Sequence, residues 1–498
     1  MKKRFDPLIR LPPELWLEIF MKNTEFDDLS HHRLETARHC SQVCQLWRTI
    51  LLSSSSTWGR LIVLHELDEG TYEWMELMLS RVGNALLWIH GPISSSNLQF
   101  FLTVVDRKWE NVQFFDVWHC NTGPYLSRET AAYLEKPAPN LEVFTFSRRY
   151  VSSPPEQHFN LDLFSKIAPR LRSFDISPFL FDVNSTLPWI PNLHTISFHD
   201  EYSRDAIFSV LKAMPRIEFV NIYLRPRTVE PLPRNLAPLH LPRLRGLKVF
   251  AGYIPDTLPF LELIKPPDRM CFVVISPGND HEWNDNIKDL SSRYHDALIP
   301  WVLAYLKRCA PTSLYLETYP ARCLQIRDYC LSSSLISTAY YKKGSLDVQI
   351  FIDGHGHSAL SKLGAASGSF SSVEQLLIYG NDQEALIPLY EALASVTELT
   401  LEVYAINIPI LHENREEKQS VLFPKLRTLR ISFEAGPPRD TAYLPQVFDY
   451  LECRVRVGLP LSCLDLSDCN PLELSESDRE RLGKLTGMSV TMPVASVE

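Results

Sequence analysis

The sequence predicts an α/β chain in which an N-terminal helical module precedes a long, irregular stack of short parallel strands joined by helices. Three observations carry this. Apolar residues recur at helical spacing up to Trp58. An apolar unit h-x-x-h-x-h, where h is apolar, then repeats down the chain, as strand alternation requires. Segments of 3.6-residue period lie between copies.

The helical module opens LPPELWLEIF, from Leu11 to Phe20. Proline fits a first helical turn, where its missing N–H would bond nothing, and Glu14 faces the positive end of the helix dipole. Leu15 and Ile19 stack at i, i+4, and so do Trp16 and Phe20. A second set, Ala37, Cys40, Cys44, Trp47 and Leu51, with Val43 and Ile50 alongside, predicts one broad apolar face on a single second helix. So small a unit does not bury that much apolar surface by itself, which points to a docking module that lays its apolar face into a groove on a partner.

Between Trp58 and about residue 110, the runs WGRLIVL and NALLWIHG predict two short strands separated by a helix, with Arg81-Val82-Gly83-Asn84 as a turn. The repeat follows. PNLEVFTF places Leu141, Phe144 and Phe146; PRLRSFDI places Leu171, Phe174 and Ile176; PNLHTISF places Leu193, Ile196 and Phe198. PRIEFVNI, PRLRGLKV and PKLRTLRI repeat it from Ile217, Leu244 and Leu426. The apolar pattern recurs without the proline at Val112, Met270, Val373, Val396 and Leu461. With 45% hydrophobic residues the apolar triplet alone is a weak signal, so the recurring proline weighs more. It is expected to end the preceding helix outside the strand ladder. Ser203 before Ile207, Val210, Leu211 and Met214 reads as a capped helix between copies. The gap from Met270 to Val373 is expected to hold further copies near Leu314/Leu316 and from Leu346 to Ile352. A helix over Asp478 to Leu485 would close the array.

A core recurring every 20–30 residues or so resembles leucine-rich repeats. The Asn or Cys that usually follows is supplied only by Cys120, Asn381 and Cys469, so the resemblance is to degenerate repeats. An ordinary α/β domain with a parallel sheet is the competing reading. The N-terminal stretch resembles an F-box: Leu-Pro-x-Glu-hydrophobic-x-x-x-Ile-Phe, then Val-Cys-x-x-Trp-Arg, then Thr-Trp, in that order. The span from Phe20 to Val43 is longer than usual for that motif. The connector after it is similar to that of many fungal F-box proteins. The resemblance implies binding to the Skp-type adaptor of a cullin–RING ubiquitin ligase. It assigns Leu11, Pro12, Leu15, Ile19 and Phe20 to the interface, with Val43, Cys44 and Trp47 completing it or bracing the module. The expected organisation is a tail over 1–10, the F-box over 11–57, a connector with first repeats over 58–110, a repeat solenoid over 111–470, and a cap and tail over 471–498.

In each copy the residue between the last two apolar positions points away from the core. That stripe reads Asp116, Thr145, Asp175, Ser197, Asn221, Lys248, Thr400, Arg430 and Asp465, with Phe219, Tyr223 and Phe250 beside it. Polar groups next to aromatics suit protein binding. Asp175, Asn221, Tyr223, Lys248, Phe250 and Arg430 are therefore the expected face for a protein substrate.

The net charge is −9, with no long Lys/Arg cluster, so a nucleic-acid partner is not expected. No stretch has the ~18 consecutive apolar residues of a membrane span. Asp6, Arg10 and Glu14 interrupt any signal-peptide core after MKKRF, and the ten cysteines read as reduced thiols of the cytoplasm or nucleus. Asp353 to His357 (DGHGH) offers metal-ligand residue types but no spaced third and fourth ligand, so a turn is expected there. Neither a phosphate loop nor a nucleophile elbow is found. The expectation is a non-enzymatic substrate receptor without a cofactor; the alternative is a repeat scaffold with a vestigial F-box.

Overall fold

The computed structural model describes residues 11–25, 32–67, 72–119, 132–148, 162–176, 186–200, 202–224, 237–277, 286–319, 323–328, 345–351, 356–380, 384–402, 421–432, 444–467, 475–484 and 487–492. The chain is mixed α/β with mostly parallel strands. It divides into two compact units, Met1–Tyr223 with Ile336–Ala339, and Leu224–Leu335 with Tyr340–Glu498.

The first unit begins with α1 (Pro13–Lys22), α2 (Arg33–Val43), α3 (Gln45–Ser53) and α4 (Ser55–Gly59). Pro12 is the extended N-cap of α1, with Glu14 in the first turn and Lys22 in the last. The single second helix expected from the sequence is two helices. Cys44 is extended (φ −155°, ψ 166°) and its Sγ accepts from the Trp47 N–H at 3.5 Å, capping α3. Apolar spacing passed over this break because α2 and α3 pack on each other, and the spacing continues across the extended residue.

The expected strand–helix–strand follows as β1 (Ile62–Val63), α5 (Tyr72–Val82) and β2 (Leu87–Ile93), with Gly83 at φ +55° in the predicted turn. Then come α6 (Leu98–Lys108), β3 (Val112–His119), β4 (Val143–Arg148), β5 (Ser173–Ile176), β6 (Thr195–Phe198), α7 (Arg204–Lys212) and β7 (Phe219–Leu224). Strands β1 to β7 pair in parallel, each with the next in sequence.

The inward side chains align in register. Phe115, Phe144, Phe174, Ile196 and Val220 form one row. The Phe115 and Phe144 rings stack at 5.2 Å and 10°, and Phe144 and Phe174 at 5.8 Å and 18°. Such offset stacks add to the area they bury.

The prolines have a more specific role than ending a helix. In proline-bearing copies the first apolar residue donates its N–H to the carbonyl three residues earlier: Leu141 to Ala138 (3.3 Å), Leu171 to Ala168 (3.2 Å), Ile217 to Met214 (3.3 Å), Leu244 to Leu241 (3.1 Å) and Leu426 to Phe423 (3.0 Å). Pro139, Pro169, Pro215, Pro242 and Pro424 thus occupy the second position of a tight turn, where the ring presets φ and no N–H is needed. Val373 and Val396 close the same turn onto Phe370 and Leu393 without proline. The helices expected between copies are only partly present. Ser203 caps α7 as predicted, its Oγ accepting from the Ala206 N–H at 3.2 Å. Before β4, β5 and β6 the described residues instead form 3-10 turns, Ala132–Glu135, Leu163–Lys166 and Ile190–Asn192.

The second unit contains β8 (Gly246–Ala251), α8 (Ile254–Leu263), β9 (Phe272–Pro277), α9 (Asn286–Cys309), β10 (Ser313–Tyr319), β11 (Cys323–Asp328) and β12 (Ser345–Phe351). It continues with α10 (Gly356–Ala365), β13 (Gln375–Gly380), α11 (Ile387–Ala392), β14 (Glu398–Glu402), β15 (Thr428–Ser432), α12 (Leu444–Arg456), β16 (Cys463–Asp465), α13 (Glu476–Lys484) and β17 (Ser489–Thr491). Strand order is β8-β9-β12-β11-β10-β13-β14-β15-β16-β17. Strands occupy both places expected inside the Met270–Val373 gap, β10 and β12. The unexpected β11 lies between them and runs antiparallel to both. Residues 353–355 of the DGHGH stretch lie outside the described residues, and α10 starts at Gly356. The terminal helix is α13, and β17 follows it to pair with β16.

Candidate functional site

Helix α1 is apolar on two sides, and the two have different fates. Trp16 (6% exposed) and Phe20 (3%) turn inward against Ile50 and Leu51, with Leu17, Cys40 and Trp47 packed around them. Trp47 meets Trp16 at 4.7 Å and Phe20 at 5.3 Å, so it braces α1 against α3. Phe20, expected at an interface, is instead part of this small core: at 100° per residue it shares the face of Trp16 rather than that of Leu15 and Ile19. Leu15 (44%) and Ile19 (42%) lie on the outside, with Leu11 and the capping Pro12 at the start of the same helix. Val43 (56%) and Cys44 are exposed at the α2–α3 break. Leu46 is exposed as well, and the sequence reading missed it. Its signal was present: it flanks Trp47, whose inward role leaves its neighbour outside.

The module is fastened to α5, the helix that follows β1. Trp58 is buried, donates its Nε1–H to the Leu51 carbonyl at 2.8 Å, and meets Trp74 of α5 edge-on at 6.4 Å. Arg81 lies 4.6 Å over the Trp58 ring, a cation–π contact.

The polar stripe is aligned by the strand register. In the first unit, neighbouring strands place His90, Asp116, Thr145, Asp175, Ser197 and Asn221 opposite one another in turn. His90 Nδ1 is 3.0 Å from Asp116, and its ring meets Trp118 edge-on at 5.2 Å. His199 Nε2 is 2.8 Å from Asp175, and its ring stacks on Tyr223 at 5.0 Å. Asn221 is buried and donates to Ser197 Oγ at 3.1 Å, so it ties β7 to β6 and offers little surface. His90 and His199 were not among the expected residues. Extending the alternation one strand back to β2, and two residues past Ser197, would have found both.

In the second unit, Thr400, Arg430 and Asp465 are in register, with Arg430 Nε 3.7 Å from Asp465 Oδ2. Lys248 lies 4.9 Å over the ring of Phe250. Further along, Arg327 bonds Glu317 at 2.9 Å and lies 3.5 Å from Asp347, whose carboxyl is pushed up by burial and held back by Gln325 and Arg327. The antiparallel strand β11 brings these charges together.

A cavity of about 10 Å³, lined by Phe20, Arg33, Cys40 and Leu51 among others, has room for one water at most. Among the described residues no group of three or more His, Cys, Asp or Glu side chains could hold a metal ion. Nor, among them, is any helix long and apolar enough to cross a membrane. The candidate surfaces are thus the outer face of the helical module and, within each unit taken by itself, the polar side chains aligned across its strands. No protein-family model matches this chain, and no curated protein matches it.

Proposed function

We propose that this chain is the substrate-receptor subunit of a Skp–cullin–F-box ubiquitin ligase. The observation that carries the reading is the division of α1. Trp16 and Phe20 complete an internal core, while Leu15 and Ile19 on α1, and Val43 and Leu46 at the α2–α3 break, leave apolar surface uncovered on a module built around few buried side chains. An apolar face of this kind suits a groove on a partner, and the motif order around it resembles an F-box. The strand series is read as irregular leucine-rich repeats, with the polar side chains between their inward apolar residues as the groups that capture a protein target. Such a subunit makes no bonds. It raises the effective concentration of the target near the ubiquitin carrier.

The test is capture of purified Skp-type adaptor by the full chain and by Leu15→Ala/Ile19→Ala. Deleting residues 1–57 is a poorer control, because it removes Leu51, the hydrogen-bond partner of Trp58. Binding that the double substitution abolishes supports the assignment. An intact chain that fails to bind adaptor refutes it.

A further inference from the structure

The N-terminus of α2 lacks a cap of its own. His32 precedes it, and its side chain accepts no bond from the first turn. The cap comes from elsewhere in the fold. Glu66, in the 3-10 turn Leu64–Leu67 directly after β1, accepts the Glu35 backbone N–H through Oε2 at 3.1 Å. A carboxylate suits this place, since the first amides of a helix are unpaired and its dipole is positive there.

The same turn of α2 also reaches the other way. Arg33, 4% exposed, donates through Nη1 to the carbonyl of Thr24 at 3.2 Å, just past the end of α1. Thr24 is itself buried, and its hydroxyl bonds the Met21 carbonyl at 2.7 Å. A cation at the carbonyl end of a helix satisfies groups that would otherwise be unpaired. One turn of α2 therefore joins the end of α1 to the residues that follow β1.

Both charges are held at a cost. Burial pushes the Arg33 guanidinium down to about 10, against the pull of Glu66 and Asp116. Burial also pushes the Glu66 carboxyl up, opposed by the Glu35 amide and by Arg33. Buried charges of this sort contribute little net stability, and fixing one geometry is a role they can serve.

We infer that Glu66 and Arg33 are positioning residues that fix the pose of the outer face of α1 against the first strands, without touching the partner that binds there. What binds there rests on the function proposed above; the anchoring is measured without any partner.

The experiment is hydrogen–deuterium exchange on the full chain, comparing wild type with Arg33→Met and Glu66→Ala. The last turn of α1 and the first turn of α2 should exchange about tenfold faster in the variants, the scale of one lost cap. Amides of β3 and β4 should not change. Arg33→Lys and Glu66→Gln, which keep a donor and an acceptor, should recover part of the protection. Unchanged exchange in α1 and α2 overturns the inference, and so does uniform acceleration that includes β3 and β4, which signals general destabilisation. Adaptor capture is then measured on the same proteins, with Arg33→Met expected to bind about tenfold more weakly although Leu15 and Ile19 are intact. Local acceleration in a chain whose wild type binds no adaptor would uphold the anchoring and refute only the ligase reading.

Discussion

The helical module and the strands of the first unit spend their apolar residues in opposite ways. Along β3 to β6, Phe115, Phe144, Phe174 and Ile196 are almost wholly removed from water. In the module, Leu15, Ile19, Val43 and Leu46 are among the most exposed large apolar side chains described. The strands use apolar residues to hold themselves together. The module uses Trp16, Phe20, Trp47, Ile50 and Leu51 for that and leaves Leu15, Ile19, Val43 and Leu46 facing outward. Apolar content alone does not distinguish the two uses; the 100° step between neighbouring residues on a helix does.

The largest expected contrast is in thiol chemistry. Cys44 is exposed at the α2–α3 break, while Cys323 in β11 is buried and its thiol is pushed up to about 12 by burial. A raised thiol pKa means that the reactive thiolate forms only as the pH climbs towards that value, so at pH 8 the Cys323 thiol stays protonated. Iodoacetamide labelling of the native chain followed by peptide mass analysis should tag Cys44 and spare Cys323. Equal labelling of both would break the comparison.

Core truncation comes next. Phe144→Ala interrupts the stack between Phe115 and Phe174 and should cost about 3–5 kcal/mol in urea unfolding. Trp16→Ala should cost somewhat less, ~3 kcal/mol, because the core of the module has few members to lose. Its neighbour Leu15 sharpens the contrast. Leu15→Ala/Ile19→Ala should leave stability within about 0.5 kcal/mol yet weaken adaptor binding by more than ~2 kcal/mol. A double variant that unfolds as readily as Trp16→Ala would place these side chains in the core and remove them from any interface.

Much of this was legible in the sequence, for physical reasons that also explain the failures. The unit h-x-x-h-x-h locates strands because alternation puts its last two apolar residues on one side, as at Phe144 and Phe146. Where a copy carries the proline, it marks the turn closed by the first apolar residue, as at Leu141, Leu171 and Leu426. The break at Cys44 was hidden because a single extended residue does not disturb apolar spacing that serves one core on both sides. The strand β11 was missed altogether, and its direction could not have been read. CLQIRD alternates like its neighbours, and alternation carries no direction. The link from Glu66 to the Glu35 amide crosses 31 residues, and that from Arg33 to Thr24 crosses the connection between two helices, so no apolar periodicity encodes either. Phe20 was misplaced because the motif names residues without saying which face each one takes.

The smallest effect tests the stripe. Arg430 in β15 is half exposed at its side chain and lies 3.7 Å from Asp465. Exposed pairs of this kind contribute little, so Arg430→Ala should change stability by less than about 0.5 kcal/mol. Its neighbour Leu429 is fully buried, and Leu429→Ala should cost about 2–5 kcal/mol. The two residues are adjacent on one strand, so their contrast compares the two sides of the sheet at one place in the fold. If the stripe captures a protein target, Arg430→Ala should weaken that capture while the chain stays folded. A loss of stability close to that of Leu429→Ala would mean that the pair with Asp465 holds β15 to β16, and that the stripe at this end is structural.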